Sequence, residues 1–163
     1  MPPARRALEE ELVTAAIQAT PEWRSARSVL LYRSVAPEFS TVGLANAAWR
    51  DGKPTLFPVT TPEGLVLRAA SGWTEFRPGW GGIPEPTGPV AAASEVQLAI
   101  VPGVAFTVAG ERLGRGGGHY DRFLAGLRCP VWALAFDAQV VPALPLEAHD
   151  LRVGRVWAAS SIQ

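Results

Sequence analysis

Gly110-Glu-Arg-Leu-Gly-Arg-Gly-Gly-Gly-His-Tyr-Asp-Arg122 is the stretch around which this chain is organised. An apolar run from Val96 to Val101 reads as the strand in front of it, continuing through Pro-Gly-Val-Ala-Phe106. Behind it, an amphipathic turn opens near His119. A strand, a glycine-rich loop and a helix start in that order belong to an α/β protein, and together they form an anion site. Consecutive glycines let backbone N–H groups approach an oxyanion, and the helix start adds partial positive charge. Arg112 and Arg115 supply planar forks that match phosphate oxygens, with Asp121 beside them to hold a cation. The familiar phosphate loops do not fit: no lysine follows the glycines, and His119 stands where a dinucleotide loop needs its third glycine.

Outward from this loop the chain is ordinary. Its 163 residues are most simply one domain, 1–163, long enough to bury a real core. Fifteen basic residues balance fifteen acidic ones, so no overall field draws nucleic acid or an anionic membrane. Cys129 is the single cysteine, which excludes an internal disulfide and a cysteine-based zinc site. Neither a signal peptide nor an apolar span of about 18 residues appears, and a cytoplasmic location is expected. A monomer is the expected state, with a dimer open.

The first element reads as a helix over 4–19, with Leu8, Leu12, Ala15, Ala16 and Ala19 on its inner face. Arg5 and Arg6 open it, either as a solvated basic end or as an anion contact. Residues 28–33 read as a buried strand, and a helix capped by Ser40 or Thr41 follows, with Leu44, Ala47 and Ala48 inward and Gly52 as its stop. That strand–loop–helix places Glu38 at the mouth of the sheet, where α/β proteins bind ligands; a carboxylate serving the helix dipole is the alternative. Residues 53–58 close a right-handed β–α–β unit. Residues 65–68 are expected in a peripheral hairpin and 87–94 in a loop. Trp73, Phe76 and Trp80 precede Gly81-Gly-Ile-Pro-Glu-Pro86. Residues 131–136 are apolar without alternation, as in a parallel strand covered on both faces, and 153–159 form the last strand. His149 reads as a loop residue, Asp121 equally as a helix cap, and Asp150 equally as a turn residue.

Taken whole, Pro102-Gly-x-x-Phe106 followed by Gly110-x-Arg-Leu-Gly-Arg-Gly-x-Gly-x-Tyr-Asp-Arg122 resembles the signature of the 5-formyltetrahydrofolate cyclo-ligase (5,10-methenyltetrahydrofolate synthetase) family. Glu38-Phe-Ser-Thr41, the Gly-Ile-Pro-x-Pro piece and the Asp137-x-Gln139 tail extend the likeness. It implies a single three-layer domain with a mostly parallel central sheet flanked by helices, NagB/RpiA/CoA-transferase-like. It also implies a ligase of one-carbon metabolism, which converts 5-formyltetrahydrofolate to 5,10-methenyltetrahydrofolate with ATP and Mg²⁺ and releases ADP and phosphate.

By the same resemblance, Arg5, Arg6, Arg112, Leu113, Gly114, Arg115, Gly116, Gly117, Gly118, His119 and Tyr120 would meet the nucleotide. Glu38, Trp80 and Pro84 would meet the reduced folate together with Arg115, Gly116, Gly117, Gly118 and His119. Arg115 and Tyr120 would be catalytic, and Asp121 and Asp150 would hold Mg²⁺. Glu9 falls where the family carries a further basic residue, and His119 where it carries a tyrosine. Those two departures leave open a non-catalytic relative that binds nucleotide or folate. A sugar-phosphate isomerase on a similar sheet is a further alternative, although no general base is singled out for it.

Overall fold

The computed structural model describes residues 1–162 except Gly117, Leu146, Ala148, His149 and the side chain of His119. Its apolar runs make one sheet. β1 (Val29–Leu30), β2 (Thr55–Thr61), β3 (Gly64–Ala70), β6 (Val90–Ala91), β7 (Leu98–Val101), β10 (Val131–Leu134) and β11 (Arg155–Trp157) join in the order β11-β10-β7-β1-β2-β3-β6. Neighbours from β11 to β2 run parallel, whereas β3 runs antiparallel to both β2 and β6. Residues 65–68 are therefore part of the main sheet rather than a peripheral hairpin. Every residue of β2 pairs with one of β3, so an edge that would otherwise expose backbone donors and acceptors is filled. The stretch 87–94 likewise contains β6 rather than being all loop. β4 (Phe76–Pro78) with β5 (Pro84–Pro86), and β8 (Ala105–Phe106) with β9 (Arg112–Leu113), form two small hairpins.

Both faces of the sheet are covered. Side chains alternate along β7: Leu98 and Ile100 face one way, Ala99 and Val101 the other, and all four are fully buried. The first face packs against α1 (Pro3–Gln18), α2 (Pro21–Ser25) and α3 (Val42–Arg50) through Val13, Ile17, Trp23 and Leu44. The second carries small residues, Ala99, Ala133 and Ala135, under Phe106 and under Phe123 and Leu124 of α4 (His119–Leu124). This is the expected three-layer α/β arrangement.

Helix α1 is rotated from expectation. Leu8 and Leu12 are 55% and 46% exposed, and the buried stripe is Glu9, Val13 and Ile17. A carboxylate can occupy that stripe because it finds partners there, as described below. α3 begins after Thr41, but the Thr41 hydroxyl donates to the Tyr32 carbonyl (2.7 Å) and does not cap the helix; Ser40 Oγ accepts from the Val42 N–H (3.3 Å). Among the described residues, no helix is long and apolar enough to cross a membrane.

The chain order fixes where a ligand belongs. From β1 it moves to β2 on one side, and β7 then enters on the other side of β1. The connections leaving the carboxyl ends of β1 and β7 therefore part in opposite directions and leave a crevice between them. Glu38 lies on the first connection and the Gly110–Arg122 stretch on the second.

Candidate active site

Arg112, on β9, has a side chain only 4% exposed. One terminal nitrogen donates to the Pro102 carbonyl (3.1 Å) and the other to Asp121 Oδ1 (3.0 Å), while the buried Nε has no partner among the described residues. Its guanidinium carbon lies 5.9 Å from the centre of the Tyr120 ring. A buried guanidinium needs a counter-charge, and Asp121, in the first turn of α4, supplies it. Asp121 is thus engaged through Oδ1 and is not the helix cap; the N-cap position belongs to Gly118. The second oxygen, Oδ2, has no partner among the described residues.

Arg115 extends from the loop with 61% of its side chain exposed and meets Glu38 Oε1 at 2.8 Å. Glu38 Oε2 accepts from the Val35 N–H (2.9 Å), so the carboxylate, 14% exposed, is fixed from both sides. Two residues that lie far apart in sequence, both assigned to the site, are thereby brought together. Gly116 and Gly118 have φ of +93° and +67°, a region open to glycine and costly for other residues. Leu113 is partly buried in β9, and its carbonyl accepts from the Val104 N–H (2.7 Å). Gly117 and the side chain of His119 lie outside the described residues.

The phenols of Tyr32 and Tyr120 are held protonated. Burial raises both pKa values, the Glu38 carboxylate adds to the effect, and for Tyr120 the Arg112 charge partly opposes it. Glu38 acts on both rings, and Tyr120 acts on Tyr32. Tyr32 donates to the Phe39 carbonyl (2.7 Å). Tyr120 can therefore offer an O–H to a ligand but cannot serve as a base at neutral pH.

The crevice thus holds a buried cation, a reaching cation, two carboxylates and two neutral phenols at the carboxyl ends of parallel strands. The sequence profile of the 5-formyltetrahydrofolate cyclo-ligase family matches residues 1–159, nearly the whole chain. The chain belongs to that family. The cyclo-ligase of Haemophilus influenzae is 36% identical over 141 residues, which are 80% of this chain and 74% of that protein. The cyclo-ligase of Mus musculus is 26% identical over 166 residues, 89% of this chain and 79% of that protein. The solved 5,10-methenyltetrahydrofolate synthetase of Aquifex aeolicus superposes with a TM-score of 0.86 at 29% identity, covering 96% of this chain and 80% of that one. A synthetase from Mycoplasma pneumoniae superposes at 0.76 with 14% identity, covering 96% and 88%, and supports the fold alone.

The remaining site residues fall in unequal places for a cyclo-ligase family member. Arg6 donates to the Pro37 and Glu38 carbonyls (3.1 and 3.0 Å) and lies 4.4 Å from the centre of the Phe136 ring. It supports the Glu38 loop directly. Arg5 pairs with Glu9 Oε1 (2.8 Å) and approaches Asp137 (3.8 Å). Pro84 lines a cavity beside Arg33, whereas Trp80 is 76% exposed and stands outside that cavity. Asp150 Oδ2 accepts from the Glu147 N–H (2.8 Å). Among the described residues, no three histidine, cysteine or acidic side chains are grouped to hold a metal.

Sequence reasoning missed Glu9. It is 3% exposed, and its Oε2 accepts from the Asp137 N–H (2.9 Å), joining α1 to the turn after β10. The spacing of Glu9, Val13 and Ile17, four residues apart, was the available signal.

Proposed function

We propose that this chain is a 5-formyltetrahydrofolate cyclo-ligase, closing 5-formyltetrahydrofolate to 5,10-methenyltetrahydrofolate at the expense of ATP. The observation that carries the reading is the family match over residues 1–159 together with the meeting of Arg115 and Glu38 in the crevice. In this reaction the formyl oxygen attacks the γ-phosphorus and ADP leaves. N10 then attacks the activated formyl carbon and gives up its proton to the departing phosphate, and the C–O bond breaks to release phosphate with that oxygen. Closing the ring forms one C–N bond, and no protein nucleophile is required.

The protein's part is positioning and neutralisation of charge. Arg115 and the loop amides of residues 116–118 would hold the migrating phosphoryl group, with Arg112 fixing the base of the loop through Pro102 and Asp121. Glu38 would orient the folate. Tyr120, kept protonated, would donate its O–H to an oxygen of either substrate. A magnesium ion held by Asp121 and Asp150 would supply charge neutralisation at the triphosphate. Asp121 fits such a role, because Oδ2 is unengaged among the described residues and the carboxylate follows the loop. Asp150 would be the second ligand. One domain would carry the whole site.

The test is the absorbance of the methenyl product with purified protein, 5-formyltetrahydrofolate, ATP and Mg²⁺. A rise that requires all three is expected. Nucleotide binding without turnover would instead identify a non-catalytic relative, and ATP-independent isomerisation of a sugar phosphate would reject the reading.

A further inference from the structure

Helix α1 meets the Glu38 loop through two charged side chains one helical turn apart. Arg6 donates from one terminal nitrogen to the Pro37 carbonyl (3.1 Å) and from the other to the Glu38 carbonyl (3.0 Å). Glu10, whose Oε1 lies 3.7 Å from the same guanidinium, accepts from the Ser40 N–H (3.2 Å). The Arg6 guanidinium lies over the Phe136 ring, 4.4 Å from its centre, and Phe39 packs on that ring with centroids 4.8 Å apart. The buried Tyr32 hydroxyl donates to the Phe39 carbonyl (2.7 Å). Three successive carbonyls and the next amide of residues 37–40 are thus each held by a side chain.

A carboxylate can orient a ligand only from a backbone that keeps its place. Arg6 is suited to fix one: its planar fork takes two neighbouring carbonyls at once, and stacking on an aromatic ring keeps the fork from swinging away. The same commitment bears on the nucleotide. A phosphate takes a guanidinium by the paired edge of the fork. In Arg6 that edge is turned to the loop, and only 28% of the side chain is exposed. Arg5, with 60% of its side chain exposed, is the outward member of the pair.

We propose that Arg6 is a positioning residue for the folate, acting through Glu38, and not a ligand of the nucleotide, with Glu10 holding the far end of the same loop. The inference rests on the cyclo-ligase reading and deepens it: there Glu38 orients the folate, and here Arg6 sets where that carboxylate stands. Arg6 should therefore matter for the folate only while Glu38 is present.

The experiment compares parent, Arg6→Met, Arg6→Lys, Glu38→Gln and the double variant. Calorimetry gives the Kd of the free enzyme for ATP, and steady-state rates at saturating ATP give kcat and the folate KM. Methionine keeps an apolar stem over Phe136 without a donor, and lysine keeps a cation able to reach the carbonyls. Arg6→Met should raise the folate KM by about fivefold or more, the factor of one hydrogen bond of ordinary net strength, and leave the ATP Kd within about twofold. Arg6→Lys should recover most of that loss. In the Glu38→Gln background, Arg6→Met should add less than about twofold to the folate KM. An ATP Kd weakened by about tenfold with an unchanged folate KM would overturn the proposal and leave the cyclo-ligase reading intact, as would a penalty that persists in full without the Glu38 carboxylate. Glu10→Ala releases the Ser40 N–H alone; it should give the same pattern with a smaller amplitude, and it decides the matter if Arg6→Met does not fold. If the parent binds 5-formyltetrahydrofolate without turnover, its Kd by calorimetry replaces KM and the same comparisons decide. A parent that neither turns over nor binds this folate removes the cyclo-ligase reading and the proposal with it.

Discussion

Asp121→Asn gives the sharpest test of how the glycine-rich loop is anchored. Asp121 is the carboxylate partner of Arg112, whose side chain is 4% exposed, and is itself 21% exposed. Asparagine keeps an oxygen for the 3.0 Å hydrogen bond but removes its charge. Breaking a wholly buried pair costs roughly 3–5 kcal/mol, and the difference between a charge-assisted and a neutral hydrogen bond is nearer 1 kcal/mol. Here the acceptor survives and one partner is partly wet, so about 1–2 kcal/mol is expected. For a chain of this size that corresponds to a melting temperature lower by roughly 2–8 °C. Calorimetry or thermal circular dichroism would measure it. The cause is checked by adding Arg112→Met, which removes the stranded charge; the double variant should lose less than the sum of the two single changes. An Asp121→Asn melting temperature within about 1 °C of the parent, with additive single variants, would refute the anchoring argument.

Other outcomes follow from the same geometry. Glu38→Gln should raise KM for folate by about tenfold or more and leave ATP affinity of the free enzyme nearly unchanged; stability should move by less than about 1 kcal/mol, because the Arg115 side of that pair is exposed. Glu9→Arg places a guanidinium where a 3% exposed carboxylate accepts two hydrogen bonds, so it should destabilise the fold by about 3 kcal/mol or more and gain nothing for ATP, measurable by urea unfolding. Asp150→Asn should shift the half-saturating Mg²⁺ concentration upward if that residue joins Asp121 around the metal, and an unchanged value would remove it from the site. Stability should also fall at alkaline pH. In the unfolded chain phenols ionise near their ordinary value of 10 and the thiol near 9, while burial keeps Tyr32, Tyr120 and Cys129 protonated in the fold. The unfolded state therefore binds fewer protons above those values, and stability present below about pH 9 is lost as the pH rises towards the folded values. Urea midpoints measured between pH 8 and 11 would show this.

The strands were legible because each is an apolar run too short for a helix, and the parallel order follows once a helix stands between them. Val131–Leu134, without alternation, announced a strand covered on both faces. Glu38 and the Gly110–Arg122 stretch could be placed at the sheet's mouth for the same reason. What stayed hidden depends on partners remote in sequence. The inner face of α1 was drawn through leucines and alanines, and the fold instead buried Glu9, because Asp137 and Arg5 make a carboxylate acceptable there. The pairing of Asp121 with Arg112 was hidden too, because nothing in the sequence shows that the Arg112 side chain is buried. Residue type alone also could not tell Trp80, which is 76% exposed, from Trp73 and Phe76, which line a cavity.

Glu9 also bears on how the chain is made. Its acceptor contact to Asp137 spans 128 residues, so on the ribosome the carboxylate emerges long before its partner exists. Until β10 and the turn after it have been synthesised, the stripe Glu9–Val13–Ile17 carries a charge at its end with nothing to neutralise it beyond Arg5, one helical turn earlier. Asp137, whose own carboxylate accepts the Ser160 N–H (2.9 Å), ties α1 to two segments far along the chain, the turn after β10 and the turn after β11. The tie between α1 and the sheet at Glu9 therefore cannot form until the turn after β10 has been made.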